Sequence, residues 1–194
     1  MPTKSKRNPG KLFEDQFKKS LEDYKNKVEG YAKRFPDSPM SFNVKLQEMT
    51  RFTLKNPYDY FAFFYPNFFA FELKSTQGTS FSIAQDNSKK EEKKMIKYHQ
   101  IEGLREAQKA KGGYGGFVFN FRSGEDNPID STFYMNIEDF DKWNNRTTKG
   151  SISKRDIALN GGILIKQELI RTNYSFDIEK LVGNILTWCE RANK

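Results

Sequence analysis

Leu12, Phe13, Phe17, Leu21, Tyr24 and Val28 recur at spacings of three and four, which predicts an amphipathic helix between Lys11 and Ala32. Arg34-Phe35-Pro36-Asp37-Ser38-Pro39 then breaks the pattern with two prolines. From 40 to 56 the apolar positions are mixed: Phe42, Val44, Leu46, Phe52 and Leu54, with Lys45, Arg51 and Lys55 between them. That reads as a protruding basic segment, partly helical or a hairpin. Asp59–Tyr65 and Phe68–Ser75 are β-prone and separated by Pro66-Asn67, which suits a tight hairpin turn. In the second run Phe69, Phe71 and Leu73 alternate with Ala70, Glu72 and Lys74, so Glu72 and Lys74 share one face of a strand.

Downstream, Thr76–Ile83 is turn-rich and ends in a short strand, and Gln85–Lys94 reads as a charged, exposed insertion. Ile96, His99, Ile101, Leu104 and Ala107 mark the apolar side of a helix over Met95–Lys111, stopped by Gly112-Gly113. Gly116–Arg122 is apolar enough to be a central strand, and Ser131–Ile137 is its neighbour. Short helices are expected over Glu138–Asn145 and Ser153–Leu159, the latter capped by Ser153, with a polar loop over Thr147–Lys154. Ile163–Ile170 reads as β, and Phe176–Arg191 as a last helix. Without an internal repeat or a domain-scale linker, the pattern is one mixed α/β domain over residues 1–194.

Composition adds charge to this picture. Lysine and arginine number 33 against 25 acids, a net charge of +8, and the apolar content is dominated by 18 Phe and 9 Tyr. Such an excess points to a polyanion partner, although a lysine-rich genome would inflate the same count. Residues 1–10 form a basic arm with Lys4, Lys6 and Arg7, either a phosphate-reaching tail or a solvated terminus. Cys189 is the sole cysteine and His99 the sole histidine, which excludes an intrachain disulfide and a Cys/His zinc site. No apolar run is long enough for a membrane span or a signal peptide, so a reducing, cytoplasmic setting is expected.

The candidate chemistry lies at Asp59, Glu72 and Lys74. Two carboxylates on paired strands can hold a hard divalent cation such as Mg²⁺, with Mn²⁺ as a substitute. A lysine beside them can orient water or stabilise a pentavalent phosphate. The bland alternative is an exposed strand face with a turn acid. The apolar neighbours of Glu72 weigh against it, because a charge on a half-buried strand needs a partner or a metal.

The Asp59…Glu72-x-Lys74 spacing resembles the PD-(D/E)xK nuclease superfamily, and the chain as a whole resembles the RecU-type Holliday-junction resolvases. The supporting residues are Asn8-x-Gly10-x-x-Phe13-Glu14, Ala32-Lys33-Arg34 with Pro36 and Pro39, Asp59-Tyr60, and Phe71-Glu72-Leu73-Lys74. Phe81-Ser82-Ile83, His99-Gln100-Ile101, the Phe117–Phe121 strand, Ile137–Trp143 and Lys149-Gly150-Ser151-Ile152 continue it in order. The resemblance implies a restriction-endonuclease-like mixed sheet flanked by helices, metal ligation by Asp59, Glu72 and Gln100, Lys74 as the transition-state group, and Glu14 at the site's edge. It also implies a homodimer that nicks four-way DNA junctions in pairs, with residues 36–56 as a stalk entering the junction. A recombinase or branch-migration helicase would be a further partner. Lys4, Lys6, Arg7, Lys11, Lys45, Arg51, Lys55 and Lys149 are then the candidate DNA contacts. The chain departs from the family at Pro57, where a hydroxyl residue is expected two positions before the aspartate. A nuclease of the same fold acting on linear duplex, and a non-catalytic DNA-binding or recombinase-modulating protein, are the alternatives; the intact Asp59, Glu72 and Lys74 argue against the second.

Overall fold

The computed structural model describes residues 8–36, 56–88, 91, 93–124 and 129–192. Its centre is a six-stranded mixed sheet in the order β1 (Tyr31–Arg34), β2 (Tyr60–Phe64), β3 (Asn67–Thr76), β5 (Gly113–Phe121), β6 (Ser131–Asn136) and β8 (Ile163–Ile165). β3 and β5 run parallel and every other neighbouring pair is antiparallel. Two small ribbons, β4 (Ser80–Ser82) with β7 (Ser151–Ser153) and β9 (Gln167–Ile170) with β10 (Asn173–Phe176), complete the strands.

Period-two alternation sorts the side chains into two cores. Phe69, Phe71 and Leu73 of β3, with Val118 and Tyr134, meet Phe13, Phe17 and Leu21 of helix α1 (Pro9–Lys27) and Leu181 and Ile185 of helix α5 (Ile178–Ala192). Phe117, Phe119 and Phe121 of β5 face the other way. There they meet Ile101 and Leu104 of α2 (Tyr98–Lys109), Phe140 and Trp143 of α3 (Ile137–Asn144), and Ile157 of α4 (Lys154–Leu159). Fully buried phenylalanines with ring centroids 4.9–5.8 Å apart carry much of both cores. The expected mixed sheet flanked by helices is therefore present, with the Phe117–Phe121 run at its centre. Among the described residues no helix is long and apolar enough to cross a membrane.

Several boundaries differ from the sequence reading. The first helix stops at Lys27 rather than Ala32: Val28 caps it, Glu29 takes a left-handed φ of 53°, and Tyr31–Arg34 continues as strand β1 against β2. Gly30 makes this turn because a Cβ there would stand 2.4 Å from the Phe64 ring. α2 begins at Tyr98 instead of Met95, since Ile96 is held extended by hydrogen bonds with Ser82 and Ala84. The expected polar loop over 147–154 contains β7, whose Ile152 is buried against Phe81. The Ile163–Ile170 run splits at Lys166 into β8 and β9, and Asn173–Phe176 is a strand preceding α5. Most of the expected stalk, including Lys45, Arg51 and Lys55, lies outside the described residues, as do Lys4, Lys6 and Arg7.

Candidate metal-dependent phosphodiester site

The β2–β3 hairpin pairs Tyr60 with Phe71, and extending that register by one residue sets Asp59 opposite Glu72. The Asp59 backbone is fixed on both sides: its N–H donates to Phe71 O (3.1 Å), and its carbonyl accepts from Phe35 N–H (2.8 Å). Its Oδ2 accepts the Leu73 N–H at 2.8 Å. The aspartate is thus held by the neighbouring strand rather than hanging from a turn.

Glu72 and Lys74 project from β3 toward α2, as the alternation requires. Glu72 is 1% exposed, and its Oε1 lies 2.8 Å from Lys74 Nζ and accepts from Gln100 Nε2. Lys74 Nζ also donates to Gln100 Oε1 (3.0 Å), which accepts the Lys97 N–H at 2.9 Å as well. The first turn of α2 therefore closes a three-membered polar cluster over the strand. Glu72 Oε2 is buried and has no hydrogen-bond partner. Burial is the largest cause that pushes the Glu72 carboxyl up to about 7; Lys74 opposes it, while Asp59 and Glu14 add to it. Glu14 approaches from α1, ion-paired with Arg34 of β1 at 3.1 Å. With Gly10, Phe13, Leu73, Lys74, Ser75 and Met95 it lines a cleft of about 220 Å³ beside the cluster.

Among the described residues no group of three or more His, Cys, Asp or Glu side chains is arranged to hold a metal ion. A two-carboxylate donor set nonetheless fits a hard cation here. Asp59 and Glu72 are adjacent across the hairpin, and Glu72 Oε2 is an unpartnered oxygen in a dry setting, which a cation would satisfy. Gln100, by contrast, is already engaged by Lys74 and Lys97, so its oxygen would join a metal only by giving up one of them.

The other expected residues are dispersed. Lys11 is exposed on the first turn of α1. Lys149 is ion-paired to Asp156 at 2.8 Å, next to the β4–β7 ribbon. Pro57, the departure from the family pattern, packs against α2. Gly103 is the residue that admits it, because a Cβ there would stand 2.4 Å from Pro57 O and 2.6 Å from Pro57 Cβ. Gly→Ala inside a helix ordinarily stabilises by about 0.5–1 kcal/mol. Gly103→Ala is expected instead to destabilise by about 1–3 kcal/mol through overpacking, measured as a lower urea midpoint at unchanged m-value.

Two features escaped the sequence reading. One is Arg34 as the partner of Glu14, which became visible only once Tyr31–Arg34 was a strand beside α1. The other is a polar string on the opposite face of the sheet. Arg122 Nε donates to Ser75 Oγ, Ser75 Oγ to Asn120 Oδ1, Asn120 Nδ2 to Thr132 Oγ1, and Thr132 Oγ1 to Gln167 Oε1, at 2.7–3.2 Å. Its signal was Asn120, the lone polar residue in the Phe117–Phe121 run.

No family model matches the chain. Over 190 residues it is 30% identical to the SPbeta prophage-derived uncharacterized protein YotM of Bacillus subtilis (strain 168), across 92% of this chain and 87% of that protein. Among solved structures, it is similar to Hjc of Archaeoglobus fulgidus, described as a Holliday junction resolvase from an archaeal hyperthermophile. That similarity has a TM-score of 0.45 and 14% identity, over 77% of this chain and 94% of the other.

Proposed function

We propose that this chain, which belongs to the family of the prophage-derived protein YotM, is a Mg²⁺-dependent DNA endonuclease acting on four-way junctions. The observation that carries the reading is the buried Glu72 carboxylate, locked to Lys74 and Gln100 beside Asp59, with one oxygen left unsatisfied. The Glu72–Lys74 pair is set apart by its depth, with the two side chains only 2% and 13% exposed, and a cation at Oε2 would offset the cost of about 1–3 kcal/mol for leaving that oxygen bare.

Each residue has a distinct task in this reading. Asp59, oriented by the Leu73 N–H, and Glu72 offer carboxylate oxygens to a divalent cation. When bound, that cation supplies charge neutralisation at the phosphate and a water acidified for attack. Lys74 presents its ammonium toward the scissile phosphate, aimed by Gln100 Oε1 and Glu72 Oε1, and stabilises the charge that builds in the transition state. Glu14, held by Arg34, lines the cleft through which the phosphodiester enters. Gln100 positions the pair.

The junction as substrate, the two-fold dimer and a recombinase or helicase partner follow from the resemblance in sequence. A two-fold dimer meets a two-fold junction with two equivalent sites, which yields paired nicks. The deciding assay incubates the full chain with a mobile four-way junction and a matched linear duplex, with Mg²⁺ or EDTA. Paired symmetric nicks on the junction, absent with EDTA, are the expected outcome. Equal cutting of duplex transfers the site to a linear substrate, and no cutting with Mg²⁺ or Mn²⁺ removes the enzyme reading.

A further inference from the structure

The face of the sheet that carries Asp59, Glu72 and Lys74 continues past the site toward β1, and there its side chains are aromatic. On β1 and just beyond it, Tyr31, Lys33 and Phe35 alternate onto this face. On β2, Phe61 and Phe63 follow Asp59 at period two and pair across with Lys33 and Tyr31. Phe68 of β3 pairs with Phe63.

Phe61 is the hub, with ring centroids 5.6 Å from Tyr31, 5.5 Å from Phe35 and 6.1 Å from Phe68. Phe35 in turn meets Tyr58 at 5.3 Å, one residue before Asp59. Neither core takes in Tyr31, Phe35, Phe61 or Phe63. The outer rings stay open: Tyr31 is 51% exposed, Phe63 42%, and Tyr65 at the hairpin tip 88%. Soluble domains rarely leave such a row of large rings in water without a partner.

The charges on the strip say which partner. Lys33 stands exposed between Tyr31 and Phe35, and no ion pair engages it among the described residues. Beyond Asp59 no described residue of the strip is acidic. A second copy docked face to face would bury two Lys33 ammoniums, one from each copy, against a strip whose rings offer no counter-charge. A DNA strand answers both features at once, since bases stack on rings and a phosphate meets the lysine.

We propose that this strip binds unpaired nucleobases of single-stranded DNA, with Tyr31, Phe61 and Phe63 as stacking surfaces and Lys33 as a phosphate contact. A strand lying along it runs on the same sheet face into the Asp59–Glu72–Lys74 cluster. Binding itself does not rest on the nuclease reading; only the direction in which the strand is delivered does.

The test uses the full chain in EDTA, so that its result and that of the cleavage assay stay separate. A fluorescent oligo(dT) is titrated by anisotropy against the parent, Tyr31→Ala/Phe63→Ala and Tyr31→Trp. The double variant is expected to bind oligo(dT) at least about tenfold more weakly and blunt duplex less than about twofold more weakly, with Tyr31→Trp retaining affinity. Oligonucleotides carrying 5-iododeoxyuridine should photocrosslink to peptides containing Tyr31, Phe63 or Tyr65. Because both substituted rings are partly exposed, the melting curve should be close to that of the parent; should the double variant not fold, the crosslinking alone decides. Unchanged oligo(dT) affinity in a folded variant, crosslinks confined to other segments, or equal losses on duplex would overturn the proposal. A dimer in the parent that the double variant dissociates, at unchanged oligo(dT) affinity, would assign the strip to self-association instead.

Discussion

The Asp59→Asn protein should bind a four-way junction in EDTA as the parent does, and nick it in Mg²⁺ more slowly by about 10³-fold or more. Several kcal/mol of metal-dependent stabilisation is at stake, and each 1.36 kcal/mol is a factor of about ten. The substitution separates folding from chemistry. Asparagine keeps one oxygen to accept the Leu73 N–H, the contact that seats Asp59 Oδ2, while the charge is lost and the second oxygen becomes an NH₂ group. Single-turnover cleavage beside junction binding by anisotropy reads the two effects. Lys74→Gln is expected to retain binding and to lose about 10²–10³ in rate, the scale for removing one preorganised donor. A parent-like rate in either protein would sink the site.

Glu72→Gln tests the same cluster through stability. In the folded chain the Glu72 carboxyl keeps its proton up to about 7, whereas the unfolded chain releases it near the ordinary 4.5. A carboxyl with a raised folded value favours the folded state below the unfolded value, and that contribution is lost as pH rises through the folded one. The parent should therefore lose about 3 kcal/mol relative to Glu72→Gln between about pH 4 and about pH 8 in EDTA. Urea unfolding of both proteins across that range measures the difference, which cancels every group they share. Magnesium should flatten the parent's pH slope and leave that of the variant unchanged, because a cation favours the ionised carboxylate. Parallel slopes in EDTA would contradict the dry setting assigned to Glu72.

Alternation made the hairpin and its two-sidedness legible before any coordinates. Phe69, Phe71 and Leu73 against Ala70, Glu72 and Lys74 is a pattern with only one face to bury each set, and β3 follows it. What the chain did not show locally was set by distant partners. Nothing in Tyr31–Arg34 itself outweighs a helix that could run on; pairing with β2 does, aided by the turn at Glu29-Gly30. The Asn173–Phe176 strand exists because β9 lies beside it, and Ile96 is extended because Ser82 and Ala84 bind it. At the site, spacing pointed to Asp59, Glu72 and Lys74. That Gln100 bridges the last two depends on α2 crossing the same face, and Arg34 meets Glu14 only through β1. Contacts between elements are written in the packing, not in the local pattern.

α1 is seated by the far end of the chain. The Ser20 hydroxyl accepts the Phe176 N–H at 3.0 Å, and the Phe13 and Phe17 rings each lie 5.8 Å from that of Phe176. On the ribosome, where the N-terminal end emerges first, the apolar side of α1 stays without this cover until β10 and α5 have been made. Glu14 rides on that helix. The residues that line the cleft beside Lys74 run from Gly10 to Met95, but the helix that carries Glu14 takes part of its seat from β10 and α5, so a nascent chain carries the motif before that helix is fully seated.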